Sequence, residues 1–219
     1  MELSHSEENY LKAIYSLSAM SDTGDAATNE IADRVQTKPP SVVDMLKKLA
    51  TKKLVTYEKY KRVQLTSQGK KVAIQVVRKH RLWETFLFEK LQFNWDEVHE
   101  VAEQLEHIHS EKLIERLDQF LGHPVYDPHG DPIPSANGEI KTAKRYKLSE
   151  IEAGTTCQVV GVNDSSSDFL MYLQQLSVGI GTKIKVLERI AFDHSLMVSF
   201  KKGHQTVVSK KFADNVLVT

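Results

Sequence analysis

The 219-residue sequence has one cysteine, Cys157. A lone thiol excludes an intramolecular disulfide and a Cys-rich zinc site, and it fits a reducing compartment, so a cytoplasmic protein is expected. No apolar run approaches the ~18 residues that span a bilayer. The first residues, MELSHSEENY, have neither the basic nor the apolar region of a secretory signal. The protein is therefore expected to be soluble, unexported and without a membrane partner. Internal repeats, low-complexity tracts and the HExxH spacing of zinc proteases are missing. So is an excess of one charge, since 29 Lys and Arg balance 29 Asp and Glu.

That neutrality is the sum of two opposed fields. Between Lys38 and Arg62 eight basic residues meet only Asp44 and Glu58, a local balance of +6. From Asp96 to Asp118 eight acids meet only Lys112 and Arg116, a balance of −6. The first suits a polyanion and the second suits cations, although such runs also occur as plain solvated faces.

With 41% hydrophobic residues the chain can bury a sizeable core, and its length suits more than one domain. SEENYLKAIYSL, following Ser4 or Ser6, places Tyr10, Leu11, Ile14, Tyr15 and Leu17 at helical spacing. TNEIADRV opens a second helix with Thr28 as N-cap. PPSVVDMLKKLATKK begins a third, because Pro39 and Pro40 suit a first turn. LVTYEKYKRVQLT gives two short β-prone runs, a hairpin. A long helix follows over Ser67–Leu91, then FNWDEV and a helix on HEVAEQLEHIHSE. GHPVYDPHGDPIPSANGE breaks regular structure. From about Lys147 short β-rich runs alternate with Gly, Asp and Ser around one brief helix, DFLMYLQQL, as in a small barrel or sandwich. The expected fold is mainly α with β. A winged helix-turn-helix (1–66) precedes a helical domain (67–126), a Pro/Gly linker (127–146) and a small β-barrel (147–219).

Helix, turn, helix and hairpin in that order make a DNA-binding pattern. At about 100° per residue Val42, Met45, Leu46 and Leu49 share the core side of the third helix, and Ser41, Asp44, Lys47 and Lys48 point away. The outward face is small and polar first and basic further on, which suits base edges and then phosphates. Candidate contacts are Lys38, Pro40, Ser41, Val43, Asp44, Lys47 and Lys48, with Lys59, Lys61 and Arg62 from the hairpin.

Further along, His99, Glu103, Glu106 and His107 share one helical ridge opposite Val98, Val101, Leu105 and Ile108. Alone, this reads equally as the wet face of a surface helix. The preceding helix tips the balance. His80 and Glu84 sit within the apolar stripe of Ala73, Val76, Val77, Trp83, Leu87 and Leu91, where a carboxylate needs a partner or a cation. Imidazole and carboxylate without thiolate form a hard set that fits Mn²⁺ or Fe²⁺. Glu106-x-x-His109 matches the repeat of di-iron bundles in one copy where two are needed, which weakens an enzyme reading.

With its winged helix, a helix bearing RKHRLWE, another bearing VHEVAEQLEH, a linker with GDPIP and a β-rich tail, the sequence resembles the diphtheria toxin repressor and manganese transport regulator family. The likeness covers nearly the whole chain and implies a Src-homology-3-like, FeoA-like tail. It implies a homodimeric repressor of metal-ion uptake that binds double-stranded DNA at a palindromic operator, with a divalent metal as corepressor and no small organic substrate. By the same likeness the primary metal site is Asn9, Glu103, Glu106 and His107, with Asn9 standing where members commonly have Asp or Met. Lys12 replaces an acid found nearby in the smallest manganese regulators. A carboxylate at position 103 favours Mn²⁺, with Fe²⁺ as the alternative. An ancillary site would draw on His80, Glu84, His99, Asp127, His129 and Asp168. Leu82 and Phe86 are candidate dimer contacts. Two competitors remain: a metal-dependent enzyme, and a winged-helix regulator that ignores metal and keeps His80 and Glu84 as a buried pair.

Overall fold

The computed structural model describes residues 3–58, 61–141, 143–201 and 204–219. The chain forms two compact bodies. One comprises Met1–His80, Glu103–Ile114 and Pro134–Ile140; the other comprises Arg81–Ala102, Glu115–Ile133 and Lys141–Thr219.

In the first body α1 (His5–Met20) starts from Ser4 in a capping box. Ser4 Oγ accepts the Glu7 N–H, and the Glu7 carboxylate accepts the Ser4 N–H. The cap of α2 (Thr28–Arg34) is Ala27 rather than Thr28, and its N–H donates to the Glu30 carboxylate. α3 (Pro39–Thr51) begins on its two prolines as expected. β1 (Val55–Thr56) and β2 (Gln64–Leu65) pair antiparallel and complete a winged helix. Lys59, one of the expected DNA contacts, lies outside the described residues. Leu11, Ile14, Ile31, Val42, Leu46, Leu49 and Val63 are fully buried, each stabilising by about 1.5–3 kcal/mol, and Met45 packs half-buried against them.

α4 (Ser67–Leu91) runs as expected and contributes to both bodies. Thr66 Oγ1 accepts the Gly69 N–H, and a Cβ at Gly69 would stand 1.9 Å from the Leu54 carbonyl oxygen. Only glycine lets the helix start this close to the hairpin.

The HEVAEQLEHIHSE stretch is not one helix. α5 (Val98–Leu105) stops at Leu105, Glu106 and His107 occupy the turn that follows, and Ser110 opens α6 (Glu111–Phe120), its Oγ accepting the Leu113 N–H. The Pro/Gly-rich stretch is tied down rather than loose. In the first body Arg78 Nη1 donates to the Pro134 carbonyl at 2.7 Å and Gln75 Nε2 to that of Ala136 at 3.0 Å. In the second, Arg81 Nη1 donates to the Pro132 carbonyl at 2.6 Å.

The tail of the second body contains β3 (Tyr146–Lys147), β4 (Thr156–Val162), α7 (Ser167–Gln175), β5 (Lys183–Arg189), β6 (Leu196–Lys201), β7 (His204–Val208), α8 (Lys210–Asn215) and β8 (Val216–Val218). Among the described residues the strands form one antiparallel sheet, ordered β3-β8-β4-β5-β6-β7. The expected small barrel is thus an unclosed sheet, because β3 is only two residues long and cannot carry the ladder round to β7. α7 matches the expected brief helix, and α8, between β7 and β8, is a second helix where only one was expected. The core is Leu148, Val159, Leu173, Ile184, Val186, Val198 and Phe212, with Cys157 buried among them. The Cys157 thiol donates to the Ile184 carbonyl, and burial pushes its pKa up. Among the described residues no helix is long and apolar enough to cross a membrane.

Candidate metal centres and nucleic-acid interface

α1 presents Glu8 and Lys12, one turn apart, to the turn after α5. Glu8 is buried, and its Oε2 lies 2.6 Å from His107 Nδ1. His5 stacks on the same imidazole, with centroids 4.3 Å apart and planes 6° from parallel. With Nδ1–H donated to Glu8, His107 turns Nε2 towards Glu106 Oε1 at 3.8 Å. Glu106 is wholly buried, its Oε2 2.5 Å from His80 Nδ1. Lys12 Nζ stands 2.7 Å from Glu106 Oε1 and 2.8 Å from Oε2, and it also reaches Glu103 Oε1 at 3.1 Å. Burial alone would raise the Glu106 pKa, but His80 and Lys12 outweigh it and hold the carboxyl below its ordinary value. Lys79 lies 3.8 Å from Glu8, and burial lowers its pKa despite that carboxylate.

Of the expected primary residues, Glu106 and His107 therefore meet in the interior, and Glu103 joins them at the half-exposed rim through Lys12. Asn9 follows Glu8 on α1, and its Oδ1 is buried without a hydrogen-bond partner among the described residues. An orphaned amide oxygen, carboxylates and an imidazole offer the oxygen and nitrogen donors that a hard divalent ion takes, so the residues present fit such an ion. Glu8 escapes sequence reading because an acid in the first turn of a helix already has an ordinary explanation in the helix dipole. His80, grouped by the resemblance with the ancillary set, is bonded through Nδ1 to Glu106.

The second body holds another cluster. Glu84, Asp127 and His129 are all buried, with one potential ligand atom from each within 4.8 Å of the others. His99 Nδ1 adds a contact to Glu84 Oε1 at 3.2 Å. The DPHG turn is wound around Asp127, whose Oδ1 accepts the N–H groups of His129 and Asp131, each at 2.9 Å. His129 Nε2–H donates to the Trp95 carbonyl, Trp95 stacks on the ring, and Trp95 Nε1 donates to the Pro128 carbonyl. That leaves His129 Nδ1 facing Glu84 Oε1 at 3.8 Å. Burial, then the charges of Glu84 and Asp131, push the Asp127 carboxyl up to about 7 against the pull of Arg81. Burial opposes the His129 imidazolium, yet Glu84 and Asp127 raise its pKa. Asp168 is exposed on the first turn of α7 and is not gathered into this group.

On the winged helix Lys38, Pro40, Ser41, Asp44, Lys47 and Lys48 are exposed, and Val43 is half-buried at the edge of that face. Lys47 pairs with Asp44 at 3.2 Å, and Lys61 with Glu58 at 2.5 Å. Lys48 and Lys52 converge on buried Glu7 at 3.3 and 2.7 Å. Arg62 differs from the other expected contacts. Its Nε meets Asp25 at 2.5 Å and its Nη2 meets Glu30 at 3.0 Å, which locks the wing to α2. Leu82, expected at a dimer contact, is fully buried within its own body, so it cannot serve. Phe88, Leu91 and Phe120 are among the exposed apolar side chains of that body, and half-buried Phe86 packs between Trp83 and Phe120.

A winged helix in one body with a buried cluster of carboxylates and imidazoles is the arrangement of a metal-responsive DNA-binding regulator. Comparison with known proteins agrees. Residues 2–63 match the N-terminal DNA binding domain of the iron dependent repressors, and residues 66–135 match their metal binding and dimerisation domain. Residues 146–219 match the FeoA domain, which is Src-homology-3-like. The iron-dependent repressor IdeR of Mycobacterium leprae is 32% identical over 166 residues, 73% of this chain and 71% of its own. The diphtheria toxin repressor of Corynebacterium diphtheriae is 27% identical over 199 residues, 86% of this chain and 87% of its own. A manganese-dependent transcriptional repressor solved in complex with manganese is 33% identical and superposes with a TM-score of 0.84, covering 97% of this chain and 98% of that one. ScaR solved with bound Cd²⁺ is also 33% identical, at a TM-score of 0.76 over 97% and 98%. The chain belongs to the iron-dependent repressor family, that of the diphtheria toxin repressor. Its members are metal-dependent DNA-binding transcriptional repressors and not enzymes, which removes the enzyme reading.

Proposed function

We propose that this protein is a cytoplasmic, homodimeric repressor of metal-uptake genes that binds a palindromic operator when Mn²⁺, or alternatively Fe²⁺, fills its primary site. The observation that carries this reading is the buried meeting of Glu106, His107, His80 and Glu8 in the same compact body as α3. Asn9, Glu103, Glu106 and His107 would hold the primary ion, with Glu8 fixing the His107 ring from behind and His5 closing its other face. A divalent ion held there would supply the charge that fixes α1 to the 103–107 segment. The remaining work belongs to the chain: α1 packs on α2, α2 on α3, and α3 carries the exposed Ser41, Asp44, Lys47 and Lys48 to the DNA. The ancillary site would take Glu84, His99, Asp127 and His129, with Asp168 recruited from the tail. Absence of sulfur from both sets, and a carboxylate at position 103, favour Mn²⁺. Phe88, Leu91 and Phe120 supply dimer contacts, and a two-fold dimer reads a palindrome. The domains are 1–66, 67–126, a linker 127–146 and 147–219.

The test is DNA binding at fixed salt, with Mn²⁺, Fe²⁺ or chelator, to a palindrome selected by the Mn²⁺-loaded protein from random DNA. Wild type is expected to bind only with metal, and Glu103→Ala and Glu106→Gln to lose the metal response. Operator affinity that ignores the chelator would return the metal-blind winged-helix reading.

A further inference from the structure

Lys12 Nζ stands within 2.8 Å of both oxygens of Glu106 and 3.1 Å from Glu103 Oε1. Glu106 is fully buried and Lys12 nearly so, with its side chain 16% exposed, whereas Glu103 is 46% exposed. The ammonium thus enters the interior from the rim and sits on the oxygens assigned above to the primary ion. Among the described residues its ion pairs are these two carboxylates, and nearby Glu8 is taken by His107 and faces Lys79. We propose that Lys12 is a tethered counter-cation of the primary site, which a divalent ion must displace in order to bind. The inference rests on the metal reading of that site.

Two cations on the same carboxylate oxygens repel each other, most strongly where burial weakens screening, so the ammonium and a divalent ion compete for Glu106. Lysine suits such displacement. Its charge is a point on a flexible four-carbon stem, without the planar fork that fixes an arginine to a carboxylate. The exposed rim at Glu103 lets the stem swing out to water. His80 and His107 keep Glu106 partnered after the ammonium leaves. Lys12 therefore sets the metal concentration at which the protein responds: it neutralises the carboxylates at low metal and lowers the affinity of the ion that replaces it.

The test is Mn²⁺ binding by equilibrium dialysis in a Glu84→Gln background, which weakens the ancillary set, comparing Lys12, Lys12→Met and Lys12→Gln. Both neutral variants are expected to bind Mn²⁺ on the order of tenfold tighter or more. They are also expected to melt lower in chelator and to gain more from Mn²⁺ than the parent does. Unchanged or weaker binding, or a lower melting point with the same metal-induced rise, would overturn the proposal and make Lys12 an organiser of the two carboxylates. A Glu106→Gln control separates the layers. If it abolishes binding while Lys12→Met leaves it unchanged, only the displacement idea fails. If it leaves Mn²⁺ binding intact, the primary-site reading fails as well.

Discussion

The Glu8 carboxylate lies 2.6 Å from His107 Nδ1 and so decides which ring nitrogen is left for other partners. A carboxylate behind a metal-binding imidazole fixes tautomer and orientation and raises ligand basicity. Glu8→Gln keeps the shape and weakens that hold. Mn²⁺ affinity at the primary site is expected to fall by about 10–100-fold in a dialysis titration. An unaltered affinity would mean that stacking on His5 alone orients the ring.

Its neighbour Glu7 points the other way, to Lys52, Lys48 and the Ser4 N–H. Burial works to raise its pKa, but those partners outweigh it and bring the carboxyl down to about 2 from 4.5. A folded pKa below the unfolded one gives stability that is complete above pH 4.5 and is lost as pH falls from there towards 2. Wild type should exceed Glu7→Gln by up to about 3 kcal/mol near pH 7, and the gap should close across that acid window. Denaturant unfolding at a series of pH values measures this, and a gap independent of pH would exclude the ionised carboxylate as its source.

Gly130 closes the turn that carries Asp127 and His129. Its φ is +86°, and a Cβ there would come within 2.0 Å of the Val160 carbonyl oxygen. Gly130→Ala is expected to cost about 2 kcal/mol or more in stability. It should also move His129 against Trp95, which changes tryptophan emission. Wild-type stability and emission would show that the turn yields without strain.

Lys47 and Arg62 are both basic candidates for DNA contact, yet their settings separate them. Among the described residues Lys47 pairs only with Asp44 three residues before it, at 3.2 Å between two exposed side chains, and such a pair is easily exchanged for a phosphate. Lys47→Ala should lower the slope of log affinity against log salt by about 1. Arg62 is held by Asp25 and Glu30, so Arg62→Ala should loosen the wing and lower thermal stability while leaving the slope nearly unchanged. Salt titrations of the two variants decide it; equal slope losses would make Arg62 a phosphate contact.

Much of this molecule is legible in its sequence where local chemistry and periodicity agree. Pro39 and Pro40 mark the start of α3, and Ser67–Leu91 runs unbroken because no proline interrupts its pattern and its one interior glycine falls in the first turn. Periodicity fails at Glu106, where residues compatible with a helix continue but the chain turns, and the turn is what directs Glu106 and His107 inward. The partnership of Glu8 with His107 joins residues 99 apart and leaves no local trace. For the same reason Arg62 reads as a free wing charge until Asp25 and Glu30 are placed beside it. The edges of the C-terminal sheet depend on which short runs pair, and two-residue β3 offers composition too little to read.

Cys157, sealed in the core of that sheet, gives the protein an intrinsic clock for local opening. A thiol that donates to Ile184 and whose pKa burial pushes up is slow to react while the sheet is shut. Being the sole cysteine, it makes any alkylation of the native chain a single-site event. The labelling rate then reports how often the FeoA-like domain breathes, with and without metal, in a protein that needs no engineered probe.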